Sequence, residues 1–393
     1  MQINKKFQVK RTVLILSLVF SSALAASCTT SADQTTNAVF SSPEPTFSKQ
    51  TTPASFTVVT TGDILLHERT WNQAKQDGSP EVWDFYPQLE GIASVTKTAD
   101  LALCHLETPI ANKNENYSGY PVFNSPPEIL TAVKELGFDM CDQASNHSLD
   151  KGFAGITRTL DKLDQIGIKH TGIARTEQEA KTPLIVEVKA GEKIFKIGIV
   201  AYTYGFNGFV RDPDKLWSAN EINAEQIINE ATAARQAGAQ FVIAKLHWGD
   251  EYTNQPNSYQ IELAQTLAQS GVIDLIEGAH SHSVQPITKI QNMWVAYSHG
   301  NLIAAHREPT SIKSEGLIVR WTITENLDGS LAITKVEQIP ILITDDFPVR
   351  VINVSKALSE KDFSLASESR LQKAYERSLA TVNSLGFEIP VGE

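Results

Sequence analysis

The residues with chemistry to offer in this 393-residue chain are histidines, carboxylates and an amide, placed where apolar runs stop. Gly278-Ala279-His280-Ser281-His282 is the densest group. It follows the apolar run Val272, Ile273, Leu275, Ile276, which predicts a buried strand with Gly278 as its stop. Imidazoles at i and i+2 just past a strand leave the backbone on one side and can be aimed at one cation. Neutral imidazole is the commonest nitrogen ligand for divalent first-row metals. Other predicted strand ends finish alike: Asp63 with His67, Glu107, Asn146 with His147, and His247. Mixed nitrogen and oxygen donors suit Mn, Fe, Zn or Co, whereas an all-oxygen set would suit Mg or Ca. So many donors exceed one tetrahedral site and point to two metal ions sharing a carboxylate.

Open α/β sheets gather ligands at the carboxyl ends of their strands, so such a set needs strands alternating with helices. Residues 56–61 are β-rich and break at Gly62-Asp63, and 101–106 form a second apolar run ending at Glu107. Ser125-Pro126-Pro127-Glu128 predicts a helix start with Ser125 as N-cap, and that helix should run to Gly137. A strand over 138–144 leads into Ser145-Asn146-His147, then a helix over 154–165 and a short return at 170–172. Residues 183–189 and 193–202 read as a hairpin around Ala190-Gly191-Glu192. Helices over 224–237 and 258–270 precede strands over 241–246 and 272–276. Shorter strands follow at 287–290, 294–297, 316–324 and 331–339, with a last helix near 371–382. Interleaved helices first and consecutive strands afterwards predict an α/β fold, a sandwich of sheets flanked by helices.

A net charge of −11 without a basic stripe excludes nucleic acid as a partner, and 41% hydrophobic residues suit a soluble core. Lys5, Lys6, Lys10 and Arg11 precede an uncharged, mostly apolar run over 13–26 that is short for a membrane span. It ends in Ala25-Ala26-Ser27 directly before Cys28, which resembles the lipobox of bacterial lipoproteins. Residues 1–28 therefore read as an export signal with Cys28 as the lipidation site, and the mature protein as anchored outside the cytoplasm by its lipid. Residues 29–54 are Ser, Thr, Pro and Ala with few large apolar side chains, a flexible linker. Residues 55–355 form the folded domain and 356–393 a helical tail. Cys104 and Cys141 fall within strand patterns and read as small core residues; the three cysteines make no disulfide framework.

The order of strand-end residues resembles the calcineurin-like metallophosphoesterases, whose blocks run Asp, a bridging acid, Asn-His, His, then Gly-x-His-x-His. The chain is more closely similar to the bacterial capsule-synthesis proteins of the CapA (PgsA) family, linked to poly-γ-glutamate capsules. The stretches carrying this include Thr61-Gly62-Asp63-Ile64-Leu65-Leu66-His67, Leu106-Glu107-Thr108-Pro109 and Ser145-Asn146-His147-Ser148-Leu149-Asp150-Lys151-Gly152. They continue with His247-Trp248-Gly249-Asp250-Glu251-Tyr252, Gly278 to Pro286, and Tyr297-Ser298-His299-Gly300-Asn301. The resemblance spans 56–302 and implies a metallophosphoesterase sandwich of two mixed sheets. It implies that Asp63, Glu107, Asn146, His247, His280 and His282 hold two divalent ions with Glu107 bridging. His147 would be the general acid, oriented by Asp150. The phosphoesterase Asp-x-His is here Asp63 followed by His67 four residues on, which makes His67 a further candidate ligand. His299 stands where the capsule proteins carry Leu. Trp248 and Asn301 are the candidate substrate-binding residues, Trp248 by stacking, with packing in the wall as its alternative.

His105 lies inside an apolar run and reads as a packed core histidine, His170 and His306 as surface or loop residues. The function expected is that of a surface-anchored capsule biosynthesis protein with a metal-dependent hydrolase-type site. Its partners would be an anionic polymer or phosphoester, the membrane, and a capsule synthesis or export complex. The alternatives are a metallophosphoesterase unrelated to capsule and a non-catalytic polymer-binding accessory lipoprotein.

Overall fold

Alternation of side chains along buried strands builds the frame of this protein. The computed structural model describes residues 53–393 apart from Pro80, Asn114, Arg307, Glu308, Pro309, Asp345 and Glu393. The signal segment, Cys28 and nearly all of the linker lie outside the described residues. The strands, in chain order, are β1 (Ser55–Ile64), β2 (Leu101–Leu106), β3 (Met140–Asp142), β4 (Lys169–Thr171), β5 (Leu184–Ala190), β6 (Lys193–Thr203) and β7 (Phe241–His247). They continue with β8 (Leu275–Ala279), β9 (Ile287–Ile290), β10 (Met293–Ala296), β11 (Asn301–Ile303), β12 (Glu315–Glu325), β13 (Leu331–Ile343) and β14 (Val351–Asn353). One sheet has the order β14-β13-β12-β1-β2-β3-β4, with β11 also paired to β1; the other is β5-β6-β7-β8-β10-β9. Both are mixed: β1 to β4 run parallel while β12 to β14 are antiparallel, and β6, β7, β8 and β10 are parallel with antiparallel edges.

The sheets pack face to face. Phe56, Val58, Leu101, Leu103 and Met140 of the first meet Phe195, Ile197, Phe241, Ile243 and Leu275 of the second. The intervening residues turn outward. Ala102, Cys104 and Leu106 meet Ile129, Val133, Ile156 and Leu160 of the helices Ile129–Glu135 and Gly152–Gln165. Val242, Ala244 and Leu246 meet Ile227, Ala231, Leu263 and Leu267 of Ala224–Gln236 and Ser258–Ser270. Each buried Val, Leu, Ile, Phe or Met among them contributes about 1.5–3 kcal/mol. Towards the carboxyl ends the inner faces change from apolar to polar: Leu101-Leu103-His105-Glu107 along β2, Phe241-Ile243-Lys245-His247 along β7, Met140 then Asp142 on β3. All are buried, so a polar layer lies between the sheets at one end.

Some local expectations need correction. The helix expected from Ser125 starts at Ile129, because the Ser125 hydroxyl pairs with that of Thr108 at 2.7 Å and caps nothing. The strand expected over 272–276 is displaced to Leu275–Ala279, since Asp274 is taken up by Arg235 and the Val242 amide. Gly278 is therefore inside the strand and is no stop; a Cβ there would collide with the Tyr297 carbonyl. Cys104 and Cys141 are core residues, but they are also disulfide-bonded: they are registered neighbours on parallel strands with Cα atoms 4.5 Å apart. The boundary placed at 355 falls inside the helix Val354–Glu360, and the tail helix Glu368–Val382 buries Leu371 and Ala374 against Leu342 and Val354. The tail belongs to the domain.

One helix–sheet contact carries a pH dependence. Tyr202 donates to Glu230 of Ala224–Gln236 at 2.5 Å, and burial pushes the Glu230 carboxyl up to about 7. A carboxyl raised on folding favours the protonated form, so its stabilisation is complete below the ordinary value of 4.5 and lost as pH rises through about 7. Glu230→Gln should raise stability to denaturant at about pH 8 by on the order of 1–2 kcal/mol and change little at about pH 5. Equal effects at both pH values would refute this origin.

Candidate metal centre

The polar ends of the two inner faces converge on one buried cluster. Asp63 ends the inward run of β1, brought close to β11 because Gly62 has no Cβ to strike the Gly300 carbonyl; the Asp63 amide donates to that oxygen at 2.9 Å. His280 and His282 follow β8 with left-handed backbones, φ 90° and 50°. Such conformations cost about 1–3 kcal/mol and persist where the surroundings over-determine them. They turn both rings inward: the His282 Nδ1 lies 3.0 Å from Asp63 Oδ2 and its Nε2 3.8 Å from Glu107 Oε1. The His280 amide donates to Asp63 Oδ2 at 3.3 Å. His247 Nε2 faces Asn146 Oδ1 at 3.0 Å, and the His247 and His280 ring centroids are 4.7 Å apart.

These donors fit divalent cations. Among the described residues, Asp63 Oδ1, both Glu107 carboxylate oxygens and His280 Nδ1 are buried without a hydrogen-bond partner. Buried polar atoms are almost always paired, so their convergence signals a ligand. Donor atoms of Asp63, Glu107 and His282, and those of Glu251, His280 and His282, lie within 4.8 Å of one another.

The electrostatics follow from burial and crowding. Burial pushes Glu107 up to about 7, with the Asp63 charge adding and His282 opposing. Burial alone would depress His282, but the Glu107 and Asp63 carboxylates hold it up at about 9. Burial drives His280 down to about 3 and, with neighbouring imidazoles, holds His247 well below the usual range. His247 and His280 are thus neutral nitrogen donors facing a carboxylate pair.

His147 stands beside this cluster. Its Nδ1 is 2.8 Å from Asp150 Oδ2, which also accepts from the Phe123 amide at 2.6 Å. Asp150 thereby fixes the Nδ1 proton and leaves Nε2 for proton exchange.

The other candidates separate. Asn301 accepts from His282 Nδ1 at 3.0 Å and donates to the Lys313 carbonyl, so it orients a candidate metal ligand. Trp248, expected to stack on substrate, is fully buried, its indole N–H donating to the Tyr297 carbonyl at 3.0 Å; it is a core residue. His67 lies outside the ligand groups, accepting weakly from the Ala305 amide with its ring 4.6 Å from His306. His306, half-buried in the loop after β11, lines the cluster with its ring 5.7 Å from that of His282.

Residues missed by sequence reasoning complete the wall. Tyr204, just past β6, sets its ring 4.5 Å from His280 and its hydroxyl 3.4 Å from Asn146 Nδ2. Glu251 lies within the His247-to-Tyr252 stretch that was singled out, without itself being chosen. His105 contacts His247 through Nε2 and Asp142 through Nδ1, and Lys245 pairs with Asp142. Two-residue periodicity was the available signal, since His105 shares a face with Glu107 and Lys245 with His247.

Residues 57–306 match a family described as bacterial capsule synthesis protein PGA_cap. The PGA biosynthesis protein CapA of Bacillus subtilis (strain 168) is 24% identical over 295 residues, covering 74% of this chain and 73% of that one. The capsule biosynthesis protein CapA of Bacillus anthracis is 24% identical over 252 residues, 63% of this chain and 59% of that one. Among solved structures, the calcineurin-like phosphoesterase YfkN from Bacillus subtilis aligns with TM-score 0.44 at 14% identity over 83% of this chain and 98% of that one.

Proposed function

We propose, from the premise that this chain belongs to the bacterial capsule synthesis protein family PGA_cap, that it is a capsule biosynthesis protein with a two-metal hydrolytic site. The orphaned oxygens of Asp63 and Glu107, facing neutral imidazoles, carry this reading. Asp63, Glu107 and His282 would hold one ion, and Glu107, Asn146, His247 and His280 the other. When bound, two divalent cations supply Lewis acidity and charge neutralisation at a phosphorus or carbonyl centre. They also give an acidic chain a local positive well for an anionic polymer or phosphoester. Asp150 holds the His147 imidazole so that Nε2 can pass its proton to the leaving oxygen as the bond breaks. The His147 and Asp150 side chains are themselves buried, which limits water around that transfer. The test is hydrolysis of bis(p-nitrophenyl) phosphate by the full-length chain loaded with Mn or Co. Turnover abolished by a chelator and restored by metal is expected; a metal-loaded chain without turnover on this diester or on a poly-γ-glutamate amide would refute the hydrolytic reading.

A second reading, a non-catalytic polymer-binding accessory, draws on His67, which packs on His306 and falls in none of the donor groups found among the described residues. In either reading the chain works outside the cytoplasm, held by lipid on Cys28. Among the described residues no helix is long and apolar enough to cross a membrane, and the Cys104–Cys141 disulfide suits an oxidising compartment. Cys28→Ser should release the protein from membranes or leave its precursor unprocessed. Unchanged fractionation and unchanged palmitate labelling would overturn the anchor.

A further inference from the structure

We propose that His105 is itself a metal ligand, held in that role by Asp142 and Lys245. The proposal rests on the two-metal reading and names the nitrogen that the strand-end motifs leave unsupplied. Leu65, two residues after Asp63, offers no donor, and His67 faces His306. On the adjacent strand β2, His105 is registered beside Asp63, and one donor atom each from Asp63, His105 and His247 lies within 4.8 Å of the others. All three residues are buried.

The orientation of the rings makes the case. His105 Nδ1 is 2.6 Å from Asp142 Oδ2, which anchors that nitrogen and aims Nε2 at His247 Nδ1, 3.0 Å away. On its other side His247 Nε2 meets Asn146 Oδ1 at 3.0 Å. Asn146 Nδ2 points to Asn207 Oδ1 at 3.2 Å and to the Tyr204 hydroxyl at 3.4 Å, which fixes the amide with its oxygen towards His247. A divalent ion beside Asp63 would take one nitrogen from each of the two facing rings.

The support behind His105 has the form of a tuned ligand. A carboxylate on the distal nitrogen fixes tautomer and ring orientation and raises donor strength. Asp142 supplies it, and Lys245 Nζ, 3.1 Å from the other Asp142 oxygen, offsets its charge in an interior that would otherwise hold an unpaired carboxylate. Lys245 lies two residues before His247 on β7 and Asp142 is registered beside His105, so the chain Lys245–Asp142–His105–His247 joins the two sheets.

The test uses the full-length chain loaded with Co(II), reading metal content, affinity and the visible absorption of the bound ions. The parent is expected to take up about two ions. His105→Asn should weaken one of them at least tenfold and change its absorption. The paired change Asp142→Asn with Lys245→Met, which strands no buried charge, should keep the stoichiometry and weaken the same ion by roughly 10- to 100-fold. A two-metal parent whose affinities and absorption survive either variant intact overturns the assignment and returns His105 to packing. Where His105→Asn does not fold, the paired variant decides alone. A parent that takes up no cobalt refutes the two-metal reading itself, which a loss confined to the variants does not.

Discussion

The double change His280→Ala with His282→Ala is expected to remove at least one metal ion from the full-length chain, measured by elemental analysis after dialysis against the metal. His282 joins Asp63 and Glu107, and His280 joins the His247 side, so both proposed ions lose a nitrogen. Loss of an imidazole from a three- or four-donor site removes much of its binding free energy, and Glu107 and Asp63 would then face each other with the His282 attraction gone. Alanine keeps a Cβ at both positive-φ positions, so the backbone strain there is unchanged. The fold should therefore survive while metal content falls. Full retention of two ions by the double variant, or a folded parent devoid of metal before any chelation, would sink the metal centre.

His147→Asn separates catalysis from binding. The side chain keeps a polar group near Asp150 but loses the nitrogen that can deliver a proton. Metal content should be unchanged, and turnover should fall on the order of 100-fold, about 2.7 kcal/mol of transition-state stabilisation. Asn146→Ala, one residue earlier, should instead weaken metal binding, since Asn146 Oδ1 points at His247. Capsule polymer yield in cells carrying each change supplies the second readout. A normal capsule with the metal-retaining His147→Asn variant would count against the hydrolytic reading and for the accessory one, provided that loss of Asp63 still abolishes the polymer.

Much of this was legible in one dimension. Strand ends bearing Asp63, Glu107, Asn146, His247 and the His280/His282 pair follow from apolar runs that stop at polar residues, and a parallel sheet gathers its strand ends at one edge. The sandwich of sheets flanked by helices followed from interleaved helices giving way to consecutive strands, and its two mixed sheets from the family resemblance. The helix over 258–270 was legible because it rests on neighbours a few residues apart, and the structure adds its Asn257 cap. What the sequence could not decide was which side chains meet across the gap between the sheets. His105 read as core because its neighbours are apolar, yet period-two geometry puts Leu103 and Glu107 on its own face, and only the second sheet brings His247 to it. Trp248 read as either a substrate-stacking or a wall residue because it follows a candidate ligand, and one step past β7 reverses the face and buries it. Gly278 read as a stop until the close passage of the Tyr297 carbonyl showed why a strand needs a glycine there. The disulfide follows the same rule: Cys104 and Cys141 are 37 residues apart in the chain and side by side only because β2 and β3 are paired in register. Local patterns are set by contacts the chain makes with itself nearby, and the site is set by pairings whose partners are chosen in the folded sheet.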